Sequence, residues 1–290
     1  MKIAVVTDSS SYLTEEEQEK YNIKVVSLPI VIDGHEYHEG KDITTEQFYQ
    51  KLKASNSFPS TSQAPVGEMV DLYQNLAKQG YQAVISIHLA STISGMYNSI
   101  KQIAPSVQGI KVIPYDSQIT VRLMGYLAIQ AAKMAKLGRS PEQITTYLDD
   151  LRTTFGELFV VDDLQNLVRG GRLSNASAFI GGLLKIKPLL TFDDHSHEIV
   201  AIEKIRSRKK ALARVEELFA QVYKKADYPI RGLIINGDDP KAGADWANKI
   251  QELYPNMPLE QSYFGPSIGT HLGDKALALA WVRDFEKDKL

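Results

Sequence analysis

The sequence predicts an α/β protein of two domains, residues 1–156 built on a parallel sheet and residues 157–290 on a mixed one. Three observations lead there. Short β-branched runs alternate with amphipathic segments through the first half, as βα units do around a parallel sheet. After about Gly156 the alternation changes, and two strand-like runs face each other across a short polar turn. A chain of 290 residues is also long enough for two moderate domains with full hydrophobic cores.

KIAVVT reads as a first strand ending in the polar turn Asp8-Ser9-Ser10-Ser11. Thr14 with Glu17 has capping-box spacing and opens a short helix. KVVSLPIVI (24–32) reads as strand, and Asp33-Gly34 as a tight turn into HEYHEG. Thr44 with Gln47 opens a second helix, and the loop NSFPSTSQAP follows. Val66, Met69, Val70, Tyr73, Leu76 and Ala77 recur at helical spacing up to the stop at Gly80. AVISI is a strand, followed by the hydroxyl-rich turn Ser91-Thr92-Ile93-Ser94-Gly95 and a helix to about Ala104. KVIPY is the next strand, a long helix covers about Gln118 to Leu137, and Ser140-Pro141 with Gln143 starts another.

In the second half ELFVV is a strand, LQNLVRGGRLS a short helix with a glycine turn, and SAFIGGLLKI a small apolar helix. PLLTF and EIVAIEKI pair antiparallel around DDHSH. A helix from Ser207, the strand GLIIN, another helix, LEQSYF and ALALAWV complete the chain.

Composition excludes several functions. Lys plus Arg number 33 against 35 Asp plus Glu, so no global charge points to nucleic acid or an anionic membrane. Without cysteine there is no disulfide, thiolate or zinc–cysteine chemistry, which fits a reducing compartment. The apolar start of MKIAVVTDSS is too short for a signal-peptide core, and no apolar run is long enough to span a bilayer. A soluble cytoplasmic protein is expected.

Ligands of open α/β sheets bind at the strand tops, where loops diverge. Four polar turns are candidates to meet there: Thr7 to Ser10, Ser60 to Gln63, Ser91 to Gly95, and Gly269-Thr270-His271. Ser94 and Gly95 open a helix, whose free N–H groups favour an anion. From these residues alone, Ser94 is either an N-cap or part of an anion clamp. The turns carry hydroxyls, one amide and one histidine but no fixed cation, and no Walker pattern is present. That favours a carboxylate over a phosphate. Ser94 and His271 with Asp8 or Asp116 would make a hydrolase triad, but Ser94 lacks the G-x-S-x-G elbow. His195 and His197 read as surface residues of a polar hairpin, and no metal is expected.

Ordered motifs extend along nearly the whole chain: VTDSSSYL, LPIVIDGHEYHEGKDIT with FY after it, STSQAP, STISGMYNS, YDS at 115–117, LQNLVRGGRLS, LLKIKPLL, EKIRSRKKAL and IGTHLG. In this order they resemble the DegV family, whose members include FakB, the fatty-acid-binding subunit of bacterial fatty acid kinase. Departures are Glu39, Ala64, Met96 and Gly273-Asp274-Lys275-Ala276, where the family more often has Asp, Pro, Thr and Gly-Pro-Gly-Ala. The last affects the loop after His271.

The resemblance implies two α/β domains with a fatty acid in a tunnel between them. The carboxylate would be held by Thr61, Ser62, Ser94 with the Gly95 backbone, and His271. The chain would have no complete active site of its own and no cofactor, only a bound long-chain fatty acid. It would present that acid to a partner kinase, and the acyl-phosphate would feed phospholipid synthesis. A monomer with transient membrane-surface contact for loading is expected. Phe179, Ile180, Leu183, Leu184 and Ile186 are candidate tunnel wall. About sixteen buried methylenes at about 0.8 kcal/mol each amount to roughly 13 kcal/mol gross, so the tail dominates affinity and the head fixes orientation.

Ser207 reads as an N-cap, which puts Arg208, Lys209 and Lys210 in a helix's first turn. Exposed positive charge there costs a few tenths to about 1 kcal/mol each. That cost marks the cluster with Lys204 and Arg206 as a candidate kinase-docking surface, which Arg169 and Arg172 either extend or leave to act near the site. The competing functions are a serine acyl-hydrolase using Ser94 and His271, and a phosphate- or nucleotide-binding regulator.

Overall fold

The computed structural model describes residues 1–55, 57–176, 186–288 and 290. Strand β1 (Ile3–Asp8) lies inside a four-stranded parallel sheet with β2 (Ile23–Val26), β6 (Ala83–His88) and β7 (Lys111–Asp116), in the order β2-β1-β6-β7. A parallel strand covered on both faces needs a continuous apolar run, and β1 and β6 are buried at every position. Five helices accompany this sheet: α1 (Glu15–Tyr21), α3 (Val66–Lys78), α4 (Met96–Ile103), α5 (Val121–Lys136) and α6 (Pro141–Arg152). Helix α5 packs on β1, β2 and β6, and α4 on β6 and β7.

The second sheet has six strands in the order β10-β9-β8-β13-β11-β12. They are β8 (Gly156–Val160), β9 (Lys187–Phe192), β10 (Ile199–Ile205), β11 (Ile230–Asn236), β12 (Leu259–Tyr263) and β13 (Leu277–Arg283). Only the β11–β12 pair is parallel, so the sheet is mixed. Side chains alternate between its faces. Leu158 and Val160 pack with Phe219 of α8 (Arg208–Lys225) and Trp246 of α9 (Pro240–Leu253). Phe159, Ala278 and Ala280 point the other way and join the core of the N-terminal half. The expected division at 156/157 falls at the start of β8, and the main apolar cluster runs across it.

KVVSLPIVI is not one strand. It bends at Ser27-Leu28, and β3 (Pro29–Ile32) leaves the parallel sheet to pair antiparallel with β4 (His35–His38) and β5 (Ser60–Thr61). Pro29 has no N–H to continue the first ladder, and Ser9 Oγ instead accepts the Leu28 N–H at 3.1 Å. Ile30 and Ile32 of this small sheet pack with Phe48 and Tyr49 of α2 (Thr45–Ala54). The long helix starts at Val121, later than Gln118, which is left-handed with φ of 55°; Val121 itself has a φ of 56°. For a β-branched residue such as Val121 that is a strained conformation.

Two short helices complete the frame, α7 (Gln165–Arg169) and α10 (Pro266–Leu272), and α10 packs against α2, α7, β3 and β5. The expected helix SAFIGGLLKI falls on residues 177–185, outside the described residues, except for Ile186. Among the described residues no helix is long and apolar enough to cross a membrane.

Candidate ligand site between the sheets

A cavity with about 980 Å³ of empty space, counting its opening to solvent, lies between the inner face of the mixed sheet and the strand tops of the parallel one. From the mixed sheet it is walled by Phe159, Phe192, Ile235, Ala278 and Ala280, and from the N-terminal half by Leu28, Leu89, Ile119, Val121 and Leu123. Ala278 and Ala280 sit on the central strand β13 beside Phe159 and Glu157. Their small side chains leave the space that larger ones would fill.

The polar residues Thr61, Ser62, Ser94, Gly95, Arg172 and His271 line the same cavity. Thr61 ends β5, and His271 lies in the last turn of α10. Glu39 fixes α10 from below: it accepts the Ser267 N–H at 3.1 Å and the hydroxyls of Ser267 and Ser9 at 2.6 Å each. His271 Nε2 is 2.9 Å from Thr61 Oγ1. A Cβ on Gly170 would lie 2.5 Å from His271 Nδ1, so only glycine permits this approach. Burial, and then the nearby Arg172 charge, push the imidazole down to about 4, so it is neutral near pH 7 and still offers one N–H.

Arg172 donates from Nε to the Ile93 carbonyl at 3.1 Å and from Nη1 to the Gly170 carbonyl. It thereby ties the two turns flanking the site together. Ser94 Oγ accepts the Met96 N–H at 3.2 Å, so its own hydroxyl proton remains free to donate. Gly95 lies close to the Gln63 side chain: a Cβ there would meet Gln63 Oε1 at 2.6 Å and make that amide shift. Hydroxyls, an imidazole and a guanidinium thus surround one end of an apolar cavity, a donor set for an anion with a long apolar remainder. Ser62 and Gly95 are exposed, so this end opens to solvent.

The four turns themselves bring no fixed cation, but Arg172, a residue expected either to extend the basic patch or to act near the site, enters the cavity from the glycine turn after α7. The first of the four turns does not reach the cavity. Asp8 is fully buried, its Oδ2 lies 2.9 Å from His88 Nδ1, and His88 Nε2 lies 2.8 Å from Ser86 Oγ. Asp8 is therefore unavailable to His271. Asp116 accepts the N–H groups of Ser91 and Gln118, and among the described residues no hydrogen bond joins Ser94 to His271.

Phe179, Ile180, Leu183 and Leu184 lie outside the described residues, and Ile186 packs on the core without lining the cavity. Arg208 is paired with Asp239 at 2.9 Å, so its first-turn cost has a local return. Arg206 is exposed, and Arg169 stacks on the exposed Phe58 ring at 3.6 Å. Among the described residues no group of three His, Asp or Glu could hold a metal. Sequence reasoning missed Glu39 as the support of α10 and Glu157 in the cavity wall. The second had a signal: Glu157 shares the phase of Phe159, two residues on along the strand.

Fold and site together define a two-domain α/β protein with a mostly apolar cavity between its sheets and polar donors at its open end. The chain belongs to the DegV family: the family model described as "Uncharacterised protein, DegV family" matches residues 2–284. A DegV domain-containing protein of Listeria innocua, lin2658, is 43% identical over 280 residues, covering 97% of this chain and 98% of the relative. The crystal structure of DegV from Bacillus subtilis, described as a fatty acid binding protein, superposes with a TM-score of 0.89 at 43% identity, over 98% of this chain and 100% of that one. A fatty acid binding DegV family protein of Streptococcus agalactiae, SAG1342, gives a TM-score of 0.90 at 35% identity, over 98% and 99%.

Proposed function

We propose that this chain is a fatty-acid carrier. It buries the tail of a long-chain fatty acid between its sheets and holds the carboxylate at the mouth through Thr61, Ser62, Ser94, the Gly95 backbone and His271, with Arg172 supplying charge. The observation that carries this is the asymmetry of the cavity, apolar along the sheet face and ringed by donors at the end where Ser62 and Gly95 are exposed. Relatives described as fatty-acid-binding share the fold at 35–43% identity.

The exposed mouth suits a carrier that presents its carboxylate to a separate kinase, which forms the acyl-phosphate for phospholipid synthesis, the role of FakB. The chain itself then has no complete active site and works in the cytoplasm as a monomer, touching a membrane surface to load. Arg206 follows the end of β10, which pairs with the start of β9, and β9 in turn meets β8 at Val160. The basic patch therefore sits at the end of the mixed sheet from which the chain runs on to α7 and Arg169, and α7 packs on α10 with His271, which supports docking of the kinase through Arg206 and Arg169. A serine acyl-hydrolase is disfavoured, because His271 Nε2 bonds Thr61 and not Ser94.

Native mass spectrometry of the purified protein tests the carrier. A stoichiometric long-chain acid, weakened in a Ser94→Ala/His271→Ala double variant, is expected. An empty protein that also refuses added oleate and palmitate would end the proposal. For docking, Arg206→Glu is expected to slow phosphorylation of the bound acid; unchanged coupling at low and physiological salt would remove that surface.

A further inference from the structure

The apolar wall of the cavity contains one carboxyl group that holding a plain fatty acid leaves without a task. Glu157, the second residue of β8, faces Ala280 of β13 and shares its strand face with Phe159. Its Oε1 accepts the Phe192 N–H at 2.7 Å and the Thr191 hydroxyl at 3.0 Å. Its Oε2 has no hydrogen-bond partner among the described residues, and the neighbouring Asp194 charge, also negative, acts against its ionised form. The residue is half-buried by area because it looks into empty space on both sides. Together with Ile119 and Phe192 it separates the inner cavity from an outer groove of about 1890 Å³, which Arg152, Asp193 and Lys225 also line.

Glu157 is set off from the anion-binding residues by about three strand spacings, roughly 14 Å: it bonds Phe192, Phe192 pairs with Ile199, and the Ile199 carbonyl accepts the N–H of Ser174, two residues past Arg172. On the His271 side, β8 runs three residues from it to Val160, about 10 Å at strand rise, before α7 and Gly170, which lies against His271. The partner strand agrees: Val160 pairs with Leu277, which follows His271, whereas Glu157 pairs with Ala280.

We propose that Glu157 builds a polar subsite in the distal tunnel, which takes acyl chains carrying a hydroxyl or oxo group at one position along the tail. A plain methylene chain would cover the cavity side of the carboxyl without offering it a partner, which is costly in an apolar wall. An oxygen substituent at the right carbon restores the partner. Burial pushes the carboxyl up to about 7, so near neutral pH it both donates, as the acid, and accepts. The subsite rests on the fatty-acid carrier proposed above.

The test is a positional scan. Binding of stearate and of hydroxystearates, with the hydroxyl moved along the chain, is measured for the delipidated wild type, Glu157→Gln and Glu157→Leu. In the wild type a hydroxyl is expected to weaken binding about tenfold at most positions, and that loss disappears or reverses at one position. Glu157→Leu restores the loss there. Glu157→Gln keeps an acceptor for Phe192 and Thr191 and retains the favoured position. An equal loss at every position in the wild type overturns the subsite, as does a favoured position that survives in Glu157→Leu. Stearate binding with a flat profile rejects the subsite alone, whereas failure to bind any of these acids rejects the carrier with it. The wild-type scan decides even where the leucine variant fails to fold.

Discussion

His271 Nε2 and Thr61 Oγ1, 210 residues apart in the chain, lie 2.9 Å from each other at the mouth of the cavity. The bond joins the small β4-β3-β5 sheet to α10, and so links the two halves of the protein where a ligand head would rest.

Because the two groups share this bond and would share a ligand, their contributions will not add. Thr61→Val and His271→Ala are each expected to weaken fatty-acid binding by roughly tenfold, from about 1.5 kcal/mol for a hydrogen bond to a charged head. The double variant should lose far less than the sum. Strictly additive losses in titration calorimetry would mean that the two groups act separately.

Two half-buried groups give ligand-free stability opposite slopes with pH. His271 is held near 4 when folded against 6.5 when free, so the unfolded chain binds more protons and stability drops as pH falls from about 6.5 towards 4. Glu157 is raised from 4.5 to about 7, so its stabilising share is full below 4.5 and disappears as pH rises through about 7. Thermal unfolding across pH 4–7.5 should show His271→Gln flattening the acid limb and Glu157→Gln the neutral one. Parallel curves for all three proteins would contradict both assignments.

Glu39 is buried, its carboxyl is raised by desolvation, and it holds Ser9 and both donors of Ser267. Glu39→Ala leaves those donors unpaired and is expected to cost about 3 kcal/mol or more, measured by urea unfolding. Since α10 carries His271, ligand affinity should fall as well. A stable variant with full affinity would show that α10 is positioned by other contacts.

Arg172 lowers the His271 pKa through its charge and bonds the carbonyls of Ile93 and Gly170. In Arg172→Gln the imidazole should titrate at higher pH, seen by NMR of the His271 ring, and carboxylate binding should weaken by about tenfold. An unmoved titration would place the guanidinium too far away to act on the site.

Much of the local structure was legible. Capping boxes at Thr14/Glu17, Thr44/Gln47 and Ser140/Gln143 all form, and Ser207 caps α8. These depend on spacings of three residues, which any chain displays. The antiparallel PLLTF and EIVAIEKI strands were equally plain, as β9 and β10. The bend in KVVSLPIVI was less visible, because both halves are β-branched and only Pro29 and the partners of Ser9 and Glu39 separate them. Asp8 read as a site residue because its turn is polar; its partner His88 lies on a neighbouring strand, outside any local pattern.

By itself the sequence determined the two α/β halves, the alternation of faces along each strand and the hydroxyl-rich turns, since propensity, capping and periodicity act over a few residues. The tertiary structure alone decided which turns meet, that Arg172 arrives beside His271, and that Glu157 stands in an otherwise apolar wall. Those outcomes depend on strand order and on how the two sheets pack against each other. Both are settled by burial summed over the whole chain, and no short stretch of it carries that sum.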